Sequence, residues 1–159
     1  MIEIRGLNEL KAKLERIKNI EQHAAPLMRQ IGETLKNEIE QSFDDEKSPF
    51  GQKWQALKPS TLNIKAKKGK SEKILRSSGD LADKWLIKSN NNESKIFNNS
   101  NVKGFAYGLT HQFGTTKAGR SHNVKIPARP FLPVDKSGNL APKSQQMIKN
   151  EVVEFLKKL

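Results

Sequence analysis

The chain has 159 residues, enough for one domain with a real core, although only 35% are hydrophobic and 29% are charged. It has no cysteine, which excludes disulfides and thiolate metal sites, and no apolar run nears the roughly 20 residues that a membrane-spanning helix requires. The formal net charge is +12, and the stretch from Lys53 to Arg76 sets eight basic residues against Glu72 alone. Such a field attracts phosphate backbones or acidic protein surfaces, while the plainer alternative is a solvated loop that aids solubility. The first residues, MIEIRGLNELKAKLERI, are studded with charge and lack the apolar centre of a signal peptide, so the chain is expected to act in a cytoplasm.

Leu7, Leu10, Leu14 and Ile17 recur at helical spacing, which predicts a first helix with Asn8 near its start as a cap. After NIEQ a second stripe runs through Ala24, Leu27, Met28, Ile31, Leu35 and Ile39, with Pro26 in the first turn, where proline is tolerated. The run DDEKSP ends that helix near Ser42 or Phe43, and both stripes read as faces of a core. From Ser48 to Lys73 the chain reads as irregular and basic, punctuated by Pro49, Gly51, Pro59 and Gly69, with a mobile loop near 62–73. ILRSSGDL then turns into a short helix or strand. Trp85 and Ile87 alternate with lysines and Leu86, SNNNES is a turn, and KIFNN continues as a second strand, which predicts a β-hairpin. NVKGFAYGLTHQFG fits either an alternating segment or a short helix from Ala106 to Gln112. A Gly- and Lys-containing loop leads into VKIPARPFLPV, whose β character is broken by Pro127, Pro130 and Pro133. A last helix starts near Pro142, with Met147, Ile148, Val152, Phe155, Leu156 and Leu159 available for one face. The order predicts an α+β fold in a single domain over 1–159: N-terminal helices, short antiparallel strands with long irregular loops, and a C-terminal helix.

Nothing in this order carries catalytic chemistry. His23, His111 and His122 stand apart from any metal-ligand spacing, and Asp44, Asp45 and Glu46 form an acidic triplet of the kind that solvent usually takes. His111 could serve as a general base, but a histidine of this sort more often satisfies a hydrogen bond. Ser77 and Ser78 lack the glycine pattern of a nucleophile elbow. No catalytic, cofactor-binding or metal-binding residue is expected, and no enzyme activity.

Four stretches combine backbone breakers with large apolar side chains: SPFGQKWQALKPST, ILRSSGDL, YGLTHQFG and IPARPFL. In each, Gly or Pro sets an unusual backbone shape and an aromatic or aliphatic residue holds it down. The residues concerned are Pro49, Phe50, Gly51, Trp54, Leu57 and Thr61; then Ile74, Leu75, Ser78, Gly79 and Leu81. Tyr107, His111, Gln112, Phe113 and Gly114 follow, and the series closes with Ile126, Pro127, Ala128, Arg129, Pro130, Phe131 and Leu132. Their order and spacing resemble the virion-morphogenesis, or tail-completion, family of Mu-like and related tailed bacteriophages (the Mu-like G protein type), over about residues 20–159. That resemblance implies a structural assembly protein, without catalysis or cofactor, that completes the tail or readies it for joining to the head. It implies other tail or neck proteins as partners, and a place in the host bacterial cytoplasm during assembly and then in the virion tail or neck. Prophage origin is equally compatible.

A symmetric tail end suits a ring of identical subunits, so a homo-oligomer is expected. Phe50 and Trp54 are expected to pin their loop to the helical body and present the lysines that follow, so Trp54→Ala would impair assembly more than folding. Arg129, in a stiff frame of Ala128 and Pro130, is expected to pair with a carboxylate of its own chain or a neighbour. His111, Gln112 and Phe113 are expected to brace IPARPFL. The alternative function is nonspecific binding to the DNA backbone through Lys65, Lys67, Lys68, Lys70 and Lys73, with no membrane contact.

Overall fold

In the computed structural model, which describes residues 7–159, Leu7–Lys18 form α1 and Ala25–Asp45 form α2, joined by a 3-10 turn at Ile20–Gln22. Pro26 sits in the first turn of α2, where its missing N–H leaves no helical bond unmade. The stripe read from the sequence buries Leu27 and Ile39, and Gly32, Glu38, Ser42 and Phe43 are buried beside them. The helix ends where Glu46 turns left-handed (φ 53°) and its N–H, with that of Lys47, closes on the Ser42 carbonyl.

The predicted hairpin forms from β1 (Leu86–Ser89) and β2 (Ser94–Phe97), in register from Leu86 opposite Phe97 to Ser89 opposite Ser94. Its turn is held by Asn90, whose side-chain oxygen accepts the N–H groups of Asn92 and Glu93 at 2.8 and 3.0 Å. One face of α2 lies on this hairpin, and Gly32 allows the approach. A Cβ there would stand 2.9 Å from Ile87 Cγ2 and against Ser94 Oγ. The C-terminal helix (Pro142–Lys157, numbered α6 below) packs on another side of α2, where Ser144 donates to the buried Glu38 carboxylate at 2.6 Å.

Between these lie α3 (Pro59–Lys67), α4 (Asp80–Asp83), α5 (Tyr107–Phe113), β3 (Thr115–Ala118) and β4 (Val124–Ile126), with α6 last. β3 and β4 pair antiparallel across a register shift. The architecture is the α+β order expected, with N-terminal helices, two short antiparallel strand pairs and a C-terminal helix. At its centre, Phe43 packs on Phe131 (ring centroids 5.1 Å), Trp54 meets Phe43 edge-on (5.5 Å), and Trp85 lies 5.8 Å from Phe131. Ile39, Ile74, Leu81 and Ala82 complete this cluster.

Three expectations are corrected. The stripe of α1 is not a core face: Leu7, Leu10, Leu14 and Ile17 are all exposed, because none of the described elements covers them. Asn8 lies inside that helix rather than capping it. The run 59–67 is helical rather than irregular, because Pro59 starts it and no further Gly or Pro intervenes before Gly69.

Candidate functional site

The four motif stretches come together. In the first, Ser48 to Gly51 make a tight turn: the Gly51 N–H bonds the Ser48 carbonyl at 2.8 Å, and Gly51 takes φ +92°. The turn folds the chain back on the end of α2, where the Trp54 N–H bonds the Glu46 carbonyl at 2.8 Å. Trp54 is thereby buried, and its indole N–H donates to the Pro130 carbonyl at 2.8 Å. Phe50, by contrast, is 39% exposed. It is not an anchor, because it occupies the outer tip of the turn that carries Trp54 inward.

The fourth stretch returns the connection. Arg129 is only 7% exposed, and its Nε and Nη2 donate to the carbonyls of Gln55 (3.0 Å) and Ala56 (3.4 Å). No carboxylate of the described residues pairs with it, which corrects the expected salt bridge. Gln55 and Ala56 sit in irregular chain, so their carbonyls are free to accept. Burial lowers the pKa of this guanidinium, and Glu46, acting at longer range, opposes that.

The third stretch clamps the fourth. The Gln112 side-chain oxygen accepts the N–H groups of Phe131 and Leu132, both at 2.9 Å, and its amide donates to the Val134 carbonyl at 3.4 Å. The His111 carbonyl takes the Arg129 N–H at 2.7 Å. Gly114 (φ +70°) follows because a Cβ there would lie 2.8 Å from the Ala128 nitrogen. In the second stretch, the Ile74 N–H donates to the Glu46 carboxylate at 2.6 Å, and Gly79 (φ +87°) starts α4.

Around this knot opens a groove of about 820 Å³ with walls from all four stretches, among them Leu57, Leu75, Leu81, Tyr107, Pro127 and Arg129. Burial, followed by the Arg129 charge, holds the His111 pKa below the usual histidine value, and its Nδ1 is buried without a partner. Tyr107 meets this imidazole edge-on, with centroids 6.4 Å apart. Among the described residues one carboxylate lies on the groove wall: Asp80, which is ion-paired with Lys84 and accepts from Ser78 at 2.6 Å. Pro49, Phe50, Gly51 and Phe113 lie outside the groove; Phe50 and Phe113 line a shallower cleft with Pro130.

The five lysines do not share one environment. Lys65 is turned inward and donates to the carbonyls of Lys73 (2.6 Å) and Arg76 (3.1 Å), and burial lowers its pKa. Lys73 lies 3.8 Å from the Asp44 carboxylate. Lys67, Lys68 and Lys70 are exposed and make no ion pair among the described residues. The sequence reading missed Lys125, Val102 and Val124, which line the groove. A signal for them exists: residues 94–134 carry six basic side chains and not one Asp or Glu.

Comparison with known proteins places this chain in company. The model of the phage virion morphogenesis family matches residues 6–157. The chain is similar to the Mu-like prophage FluMu G protein 2 of Haemophilus influenzae, with 34% identity over 131 residues, 82% of this chain and 81% of the relative. It is also similar to the FluMu G protein 1 of the same organism, with 32% identity over 114 residues, 70% of this chain and 69% of the relative. No solved structure matches the chain.

Proposed function

This chain belongs to the phage virion morphogenesis family, and from that premise we propose that it is a non-enzymatic assembly protein that completes the tail or joins it to the head as a homo-oligomeric ring. The family match across residues 6–157 carries this reading. It is supported by a backbone-stitched knot that presents a groove lined by all four motif stretches. A ring suits the task because a tail end is itself symmetric, and heterologous contacts between identical subunits give a ring when their rotation closes. The partners are then tail or neck proteins, met in the host cytoplasm and kept in the virion.

Deletion of the gene from an inducible phage tests the role. Heads and tails that accumulate unjoined, or tails of uncontrolled end structure, are the expected result, and normal particle yield would overturn it. Light scattering on the purified protein, alone and with isolated tails, tests the ring. A strict monomer in both settings removes that part.

A second reading, contact with the DNA backbone, is favoured by Lys67, Lys68 and Lys70, which face solvent unpaired. It predicts binding to duplex DNA that weakens steeply with salt. No binding at low salt eliminates it.

A further inference from the structure

The two most basic stretches of the chain, 53–76 and 94–134, are separate in sequence yet both line one groove. Lys58, Lys65 and Arg76 come from the first, Lys125 and Arg129 from the second; Lys65 is engaged by backbone carbonyls and Arg76 by Asp44 and Asp83. The same groove has an uncovered apolar lining, in which Val102 is 61% exposed and Val124 50%. Aliphatic surface left to water beside Lys58, Lys125 and Arg129 is a mixed chemistry, and it narrows what can fill the space.

We propose that the groove takes an acidic, apolar segment of another virion protein, its aliphatic side chains against Leu57, Val102 and Val124 and its carboxylates toward Lys58, Lys125 and Arg129. Calling the donor a virion protein rests on the assembly reading above; the chemistry of the segment does not. The Arg129 fork directs Nε and Nη2 to backbone carbonyls and pairs with no carboxylate of the described residues, so its remaining N–H groups can donate to an acidic group from outside. The wall carboxylate Asp80 is already engaged by Lys84 and Ser78 and leaves the field positive.

The α1 stripe of a second copy fits less well: Lys11 and Lys18 on one flank and Lys13 on the other would set cation against cation. Duplex DNA would satisfy the cations but leave the aliphatic wall wet, and the unpaired lysines Lys67, Lys68 and Lys70 lie off the groove.

The test is a displayed library of random dodecapeptides panned against the full-length protein, with a short DNA duplex assayed beside it. Recovered sequences should join Asp or Glu to Leu, Ile, Val or Phe. They should bind the Lys58→Glu/Lys125→Glu variant about tenfold or more weakly, a loss read directly as Kd. Their affinity for Lys136→Glu/Lys143→Glu, the same charge change away from the groove, should be unaltered. Both pairs are exposed, so the fold is not at stake. Neutral or basic sequences, equal loss in the two variants, or no recovered sequence would overturn the proposal. So would duplex binding abolished by Lys58→Glu/Lys125→Glu with no acidic peptide recovered. If panning fails while gene deletion still blocks particle assembly, only the groove proposal falls.

Discussion

Trp54 shows how one residue settles the meaning of a stretch. Its ring is part of the central cluster, and its N–H closes on Pro130, so the first and fourth motifs meet in this side chain. Trp54→Ala should therefore cost about 3–5 kcal/mol, a large share of a domain's stability, and shift the urea midpoint strongly. Mere loosening of residues 48–58, with an unchanged midpoint, would restore the presenting role read from the sequence. The motif pattern marked Trp54 and Gln112 as important. It could not tell Phe50 from Trp54, because a turn decides which of two nearby aromatics faces inward. Arg129 was legible as a fixed group but not by its partners, because backbone carbonyls leave no mark in sequence. His111 gives a pH test. Its folded pKa lies below 6.5, so the unfolded chain binds the proton more readily. Its contribution to stability is thus full above 6.5 and declines as pH falls below it, until the folded pKa is passed. Thermal melts from neutral pH down through that window should show a fall that is flatter in His111→Gln. Identical slopes would refute the assignment.

Among the elements, those with a long apolar period were readable and those stabilised by position were not. α2 and α6 follow the 3.6-residue rule and start where the sequence reading puts them, but α2 runs to Asp45, past the end read near Ser42 or Phe43. The β1–β2 hairpin announced itself by alternation and an asparagine turn. α3 has little apolar periodicity, and β3 is a polar strand known only by its partner β4, so neither had a pattern to find. α1 is the reverse case, a clear stripe with none of the described elements over it. Period reports amphipathicity, and a core is only one use of an apolar face. Leu10→Glu/Leu14→Glu should then change the stability of the isolated protein by no more than about 0.5 kcal/mol per site, the range of surface substitutions. Chemical denaturation would measure it, and a loss of several kcal/mol would mean that the stripe is covered after all.

At the scale of the whole molecule, charge is the governing feature. Residues 53–76 and 94–134 hold more than the entire net charge of +12, and the remainder of the chain is close to neutral. The ion pairs that offset this repulsion, such as Arg76 with Asp44 (3.2 Å) and Asp83 (2.8 Å), involve half-exposed carboxylates. Exposed pairs of that kind contribute about 0–1 kcal/mol each, too little to outweigh repulsion spread over two basic segments. Salt screens both, with a Debye length of about 10 Å at 0.1 M, so the larger effect sets the sign. Tm should accordingly rise as sodium chloride is added to a low-salt buffer. Lys67→Glu/Lys68→Glu, which removes repulsion without breaking an ion pair or side-chain hydrogen bond among the described residues, should raise the low-salt Tm and flatten its salt dependence. A Tm that falls with salt would reverse the ranking and make the ion pairs around Arg76 the dominant electrostatic term.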